Sequence, residues 1–324
     1  MITDKVDGYI IEYPQAVEYA RLQDSIFWTD KEIAVEKDIQ DLKVNMTEAE
    51  RHGVITTLRL FTLYELFAGN EYWLTRVLHA FPRPEIQRMC ATFGHFELGI
   101  HAPFYNRINE ALHLNTPEFY REYVNDPILK SRMDFISTFI NDPNLLVSLG
   151  VFSLIEGAVL YSSFAYLKHF QTQGKNKLLN IVRGINFSVR DENLHAEAGA
   201  WLYRSLRAEY ESKAWWDHRV HGWPTEAIVE ASRTILDHEC HIVDMIFEKG
   251  PIDGITSEGM KEFVKHRLNL CLENLGIKPV YNIASREIEE WFYKNINSVT
   301  LNDFFTGIGK DYNRNWDQEN FRWS

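Results

Sequence analysis

Arg190-Asp191-Glu192-Asn193-Leu194-His195 lies inside a helix-patterned run from about Lys175 to Glu209. On a helix, the spacing of Glu192 and His195 puts a carboxylate and an imidazole on one face, one turn apart. In a di-metal carboxylate bundle, two helices each bring such a pair and two others bring one carboxylate each. The spacing is common by chance. Its weight depends on whether the rest of the chain supplies the missing partners.

Three other long helical runs carry acidic residues among apolar ones. The run 47–80 holds Glu65 within Leu60-Phe61-Thr62-Leu63-Tyr64-Glu65-Leu66-Phe67, and Glu71 in the more polar Gly69-Asn70-Glu71. The run 85–114 holds Glu97 and His101 between Phe93 and Tyr105, and the run 144–170 holds Glu156 alone. The order is carboxylate, carboxylate with imidazole, carboxylate, carboxylate with imidazole. Four carboxylates and two imidazoles suit two divalent ions such as iron or manganese. Thiolates are absent from the set, which argues against structural zinc and iron–sulfur sites. Taken singly, Glu65 and Glu71 read as solvated helix residues, and His101 or His195 as a hydrogen-bonded core residue. Glu192 alone would pair with Arg190 or a neighbouring helix. The joint order and spacing carry the reading.

Glu156 is the hardest member to explain otherwise. Leu145 to Leu167 is apolar apart from this one charge and long enough to span a bilayer. A membrane location would place the carboxylate deep in lipid, at substantial cost. A helix buried on all sides of a large bundle is the better expectation, and Glu156 then needs partners in the core.

The chain has 324 residues, of which 45% are hydrophobic, and a formal net charge of −12. That balance, with no basic stripe, argues against a nucleic-acid binder. Cys90, Cys240 and Cys271 are too scattered for a disulfide framework, so a reducing cytoplasm fits. Helical periodicity dominates and strand signals are few. Thr47-Glu48-Ala49-Glu50 reads as a capping box. Shorter helices are expected near 117–125 and 127–141, and further helices over 225–248 and 257–275. The expectation is an all-α fold with one domain over residues 1–305, its first 45 residues irregular, and a flexible tail over 306–324.

These residues resemble the radical-generating small subunit of class I ribonucleotide reductase. Ser188 to His195 is similar to that family's Arg-Asp-Glu-x-x-His signature, Phe27-Trp28-Thr29-Asp30-Lys31-Glu32 to its Phe-Trp-x-x-x-Glu segment, and Phe61 to Glu65 to its first-ligand segment. The spacings of 32 residues from Glu65 to Glu97 and 36 from Glu156 to Glu192 also fit. The resemblance implies a ferritin-like helical bundle with additional helices. It implies two metal ions per chain, iron first, with manganese or a mixed pair open, held by Glu65, Glu97, His101, Glu156, Glu192 and His195. Tyr105 would carry a radical. Asp191 and Trp28 would pass it towards the surface, with Tyr312 the candidate relay in the tail. The implied partners are a large catalytic subunit that holds the nucleotide, a second copy of the chain, and an activating flavoprotein. Nucleic acid and membrane are not expected partners.

One departure stands out. The family's second motif is Glu-x-x-His, whereas Glu97 and His101 are four apart. Either the two still share a helix face at that spacing, or the extra residue is taken up in a π-bulge. Three bland readings remain open: Tyr105 as a core tyrosine, Trp28 as a packing residue, and Asp191 as the orienter of a ligating histidine. Two rival functions remain as well: a di-metal oxidase of the ligand-binding or desaturase type, and a metal-storage or structural helical protein.

Overall fold

The computed structural model describes residues 1–213 and 224–293. Helix α1 (Pro14–Ser25) opens with a proline in its first turn. Helix α2 (Glu48–Leu66) begins at Thr47, whose hydroxyl accepts from the Glu50 N–H at 3.2 Å while the Glu50 carboxylate accepts from the Thr47 N–H at 2.8 Å. This reciprocal cap is the one expected from sequence. The chain continues from α2 as a π-helical stretch, Phe67–Val77, and stops before Pro82 and Pro84. Helix α3 (Pro84–Phe96) passes through a single π-helical turn, Glu97–His101, into α4 (Ala102–Ala111). Helices α5 (Pro117–Asn125) and α6 (Pro127–Ile140) follow. Asn144 then caps α7 (Leu145–Ala158) by accepting from Leu146 and Val147. Helices α8 (Tyr161–Lys168), α9 (Leu179–Glu211), α10 (Pro224–Ile246), α11 (Ser257–Asn274) and α12 (Glu287–Phe292) complete the described chain. Among the described residues the only extended pairing is an isolated bridge between Ile252 and Ile255. The fold is the all-α, ferritin-like bundle with added helices.

Helix α7 is the centre of the packing. It runs along α9, and α10, α11 and α6 cover its other sides. Every residue from Leu146 to Ala158 is buried. The apolar run 145–167 thus lies inside the bundle, and the only acidic side chain in it, Glu156, is buried too.

Three expectations need correction. The first 45 residues are not irregular throughout, because α1 lies within them and packs on α3. Its buried residues, Ala16, Val17, Tyr19, Ala20 and Gln23, mix alanines and an amide with only two larger apolar side chains, which gives a weak hydrophobic pattern. The run 144–170 is not one helix. It breaks at Val159, with ψ 139°, and Leu160, with φ 73° in the left-handed region. A non-glycine residue there costs about 1–2 kcal/mol, which the surrounding packing must outweigh. Helix α9 starts at Leu179 rather than Lys175, because Leu178 takes φ 56°. The N-terminal segment caps its start: Asp38 accepts from the Ile181 N–H at 2.7 Å and Asp41 from the Leu178 N–H at 2.9 Å. Carboxylates are favoured at that end of a helix.

Candidate metal centre

Glu65 lies in the last turn of α2, Glu156 lies in the last turn of α7, and Glu192 and His195 share a face of α9. Glu97 and His101 bound the π-helical turn between α3 and α4, so the extra residue is taken up as a local widening of the helix. Pro103 follows in the first turn of α4, where its missing N–H interrupts regular α pairing beside that turn. All six side chains are buried.

They fall into two overlapping groups. Glu65, Glu97, His101 and Glu192 form one, and Glu97, Glu156, Glu192 and His195 the other. Within each group, one donor atom per residue lies within 4.8 Å of the others. Glu97 and Glu192 belong to both groups, so each could serve two ions.

The imidazoles are oriented in matching ways. His101 Nδ1 faces three carboxylates, at 3.2 Å from Glu97, 3.3 Å from Glu192 and 3.6 Å from Glu65. Its Nε2 is 3.1 Å from Asp191 Oδ2, which also accepts from Trp28 Nε1 at 2.7 Å. His195 Nδ1 is 2.6 Å from Glu97 Oε1 and 3.8 Å from Glu192, while its Nε2 is 3.1 Å from Gln23 Oε1. In each ring one nitrogen turns to the cluster and the other to a fixed acceptor, as metal-ligating histidines require. Glu156 Oε1 accepts from Trp73 Nε1 at 2.9 Å. Sequence reading missed Gln23 and Trp73. Gln23 sits in the helix hidden by a weak pattern, and Trp73 lies in the π-helical stretch, where α-helical periodicity does not indicate the inward face.

Burial works against ionised carboxylates here. Burial raises the Glu65 carboxyl well above the usual range, and the Glu97 charge adds to it. Burial does the same at Glu156, reinforced by Glu192 and Glu97. Both oxygens of Glu65 and of Glu192, one of Glu97, one of Glu156 and His195 Nδ1 are buried without hydrogen-bond partners. Each uncompensated buried charge costs several kcal/mol, so nothing in fold stability explains the cluster. Two divalent cations would balance four carboxylates and satisfy these atoms. The donor set and the orphaned atoms therefore fit a di-metal centre.

Tyr105 is buried four residues beyond His101 and stacks on Phe61, with ring centroids 4.4 Å apart. Burial, then the charge of Glu65, raises its phenol well above the ordinary value. Trp28 is also buried, its ring centroid 5.9 Å from that of His101. Glu71 is exposed, bonded to Asn70, and takes no part in the cluster. Tyr312 and the tail 306–324 lie outside the described residues.

Fold and site together define a helical di-metal carboxylate protein. The family model for the ribonucleotide reductase small chain matches residues 6–288. The beta subunit of ribonucleoside-diphosphate reductase from Chlamydia pneumoniae is 25% identical, over 86% of this chain and 81% of that protein. Two solved structures share the fold. The ribonucleotide reductase R2 subunit of Clostridium botulinum has a TM-score of 0.75 at 21% identity, covering 87% of this chain and 88% of that one. The dimanganese(II)-NrdF of Streptococcus sanguinis has a TM-score of 0.71 at 18% identity, covering 88% and 96%. The chain belongs to the ribonucleotide reductase small-chain family. It is accordingly the small subunit of a ribonucleoside-diphosphate reductase, an oxidoreductase that works with a large catalytic subunit.

Proposed function

We propose that Glu65, Glu97, His101, Glu156, Glu192 and His195 hold the two metal ions and that Tyr105 carries the radical this subunit delivers. The observation that supports this most is the pair of overlapping donor groups sharing Glu97 and Glu192. Iron is the first choice of metal, with manganese or a mixed pair compatible with the same donors. When bound, the two ions supply oxidising power drawn from oxygen, which no side chain has.

The protein's part is placement and exclusion of water. Tyr105 is embedded among Phe61, Phe104 and the buried carboxylates, so its ring is shielded from solvent. Burial, then the charge of Glu65, raises its phenol pKa, so the buried ring is kept in its neutral, protonated form. Trp28, Asp191 and His101 make one hydrogen-bonded line from the cluster towards the N-terminal segment. We assign that line to radical transfer, with Asp191 also fixing the His101 ring. Residues 1–305 would form one domain. Residues 306–324 would dock on the large subunit, with Tyr312 as the relay. A homodimer, a cytoplasmic location and an activating flavoprotein complete the reading.

Electron paramagnetic resonance of the metal-loaded, oxidised protein tests it. A tyrosyl signal that disappears in Tyr105→Phe is expected. A tyrosyl signal unchanged by that substitution would refute the assignment.

A further inference from the structure

Arg267 of α11 is a buried cation whose hydrogen bonds go to neutral oxygens. Its Nε donates to the Gly157 carbonyl at 2.8 Å, Nη2 to Asn193 Oδ1 at 3.0 Å and Nη1 to the Tyr293 hydroxyl at 2.8 Å. Its guanidinium carbon lies 3.8 Å from the centroid of the Tyr161 ring, and the Tyr161 hydroxyl donates to the same Asn193 oxygen at 2.8 Å. Among the described residues it forms no ion pair with a carboxylate, although a buried arginine ordinarily has one.

Two of those acceptors directly follow candidate ligands. Gly157 comes after Glu156, and Asn193 after Glu192. Helix α7 breaks just beyond, so its last carbonyls lack the N–H groups of a further turn. Arg267 supplies one donor, and its charge offsets the negative end of α7. On the far side of the break, Glu239 accepts from Ser162 in the first turn of α8 at 2.8 Å and is paired with Arg132 at 3.1 Å. The break after Glu156 thus has a cation on its carbonyl side and, on the α8 side, a carboxylate bonded to the Ser162 hydroxyl. Space is tight at the same point. A Cβ on Gly157 would overlap Cys271 Sγ of α11 and come within 3.3 Å of Ala196 of α9.

We propose that Arg267 is a positioning residue for the metal centre. It ties the backbone beside Glu156 to the side chain beside Glu192 and so fixes α7 against α9. The proposal rests on the assignment of the six ligands. It makes an asymmetric claim, because the group containing His195 includes both Glu156 and Glu192, whereas the group containing His101 includes only Glu192. Removing Arg267 therefore loosens the His195 half.

The test is a Mn(II) titration of metal-free, full-length protein, read by electron paramagnetic resonance, with thermal melting of the metal-free form alongside. The wild type should bind two ions per chain and show an exchange-coupled signal. Arg267→Lys keeps the charge without the three-way reach, and Arg267→Met keeps most of the bulk without the charge. Both should bind the first ion like the wild type and the second at least about tenfold more weakly. At two equivalents both should show the uncoupled signal of a lone ion. Asn193→Ala removes one acceptor with little loss of packing and should shift the second affinity the same way by a smaller factor. A lower melting temperature with an unchanged second affinity and an unchanged coupled signal would overturn the proposal, since Arg267 would then only support the fold. Second-ion binding that is normal in Lys but lost in Met would also overturn it, because charge alone would suffice. A wild type that binds fewer than two ions would instead overturn the ligand assignment itself, and the proposal with it.

Discussion

Gln23 and Asp191 stand behind the two cluster histidines in the same way, each accepting from the nitrogen that faces away from the carboxylates. Each fixes a tautomer and a ring orientation. Gln23→Ala would leave His195 free to rotate and would expose its Nε2 to a site without an acceptor. Metal affinity at the His195 half should fall about 10–100-fold, measurable by competition with a chelator. Asp191 was legible because it adjoins Glu192 in a compact motif. Gln23 was not, since an amide in a weakly amphipathic segment carries no signal until tertiary contact gives it a partner. Trp73 is similar: its indole N–H reaches Glu156 of α7 from the π-helical stretch Phe67–Val77, a contact that only the tertiary fold makes.

Helices adapt to the site at three points. The π-helical turn Glu97–His101 accommodates a spacing that a regular α-helix would meet less well. The longer π-helical stretch Phe67–Val77 comes close to that turn at Gly69. A Cβ at Gly69 would lie 2.7 Å from Leu98 Cγ and 2.8 Å from Glu97 Cβ, too close without movement. Gly69→Ala should therefore cost about 1–3 kcal/mol of stability, as overpacking does, and should weaken metal binding by displacing Glu97. Denaturant unfolding and a metal titration check both effects. The third point is the break at Val159–Leu160. The order of helices was readable from periodicity, caps and prolines. The break and the longer π stretch were not, because an unbroken apolar run looks the same whether its backbone is regular or interrupted. At Glu97 and His101 the one residue beyond the resembled Glu-x-x-His motif offered the widening as one of two readings, the other being a shared face of a regular helix.

At the scale of the whole molecule, the fold spends stability to build a charged core. Helix α7 brings thirteen consecutive buried residues to the centre, and one of them is a carboxylate. Around it, four helical segments converge so that six ligand-type side chains meet. The energy for this comes from the apolar packing of α7 with α9, α10 and α11. The assembly is coherent only if cations neutralise the carboxylates. Crystals loaded with Mn(II) and measured at the manganese absorption edge test that claim most directly. The account predicts two anomalous peaks per chain, one enclosed by Glu65, Glu97, His101 and Glu192, the other by Glu97, Glu156, Glu192 and His195. A single peak, or manganese bound only elsewhere on the chain, would contradict it.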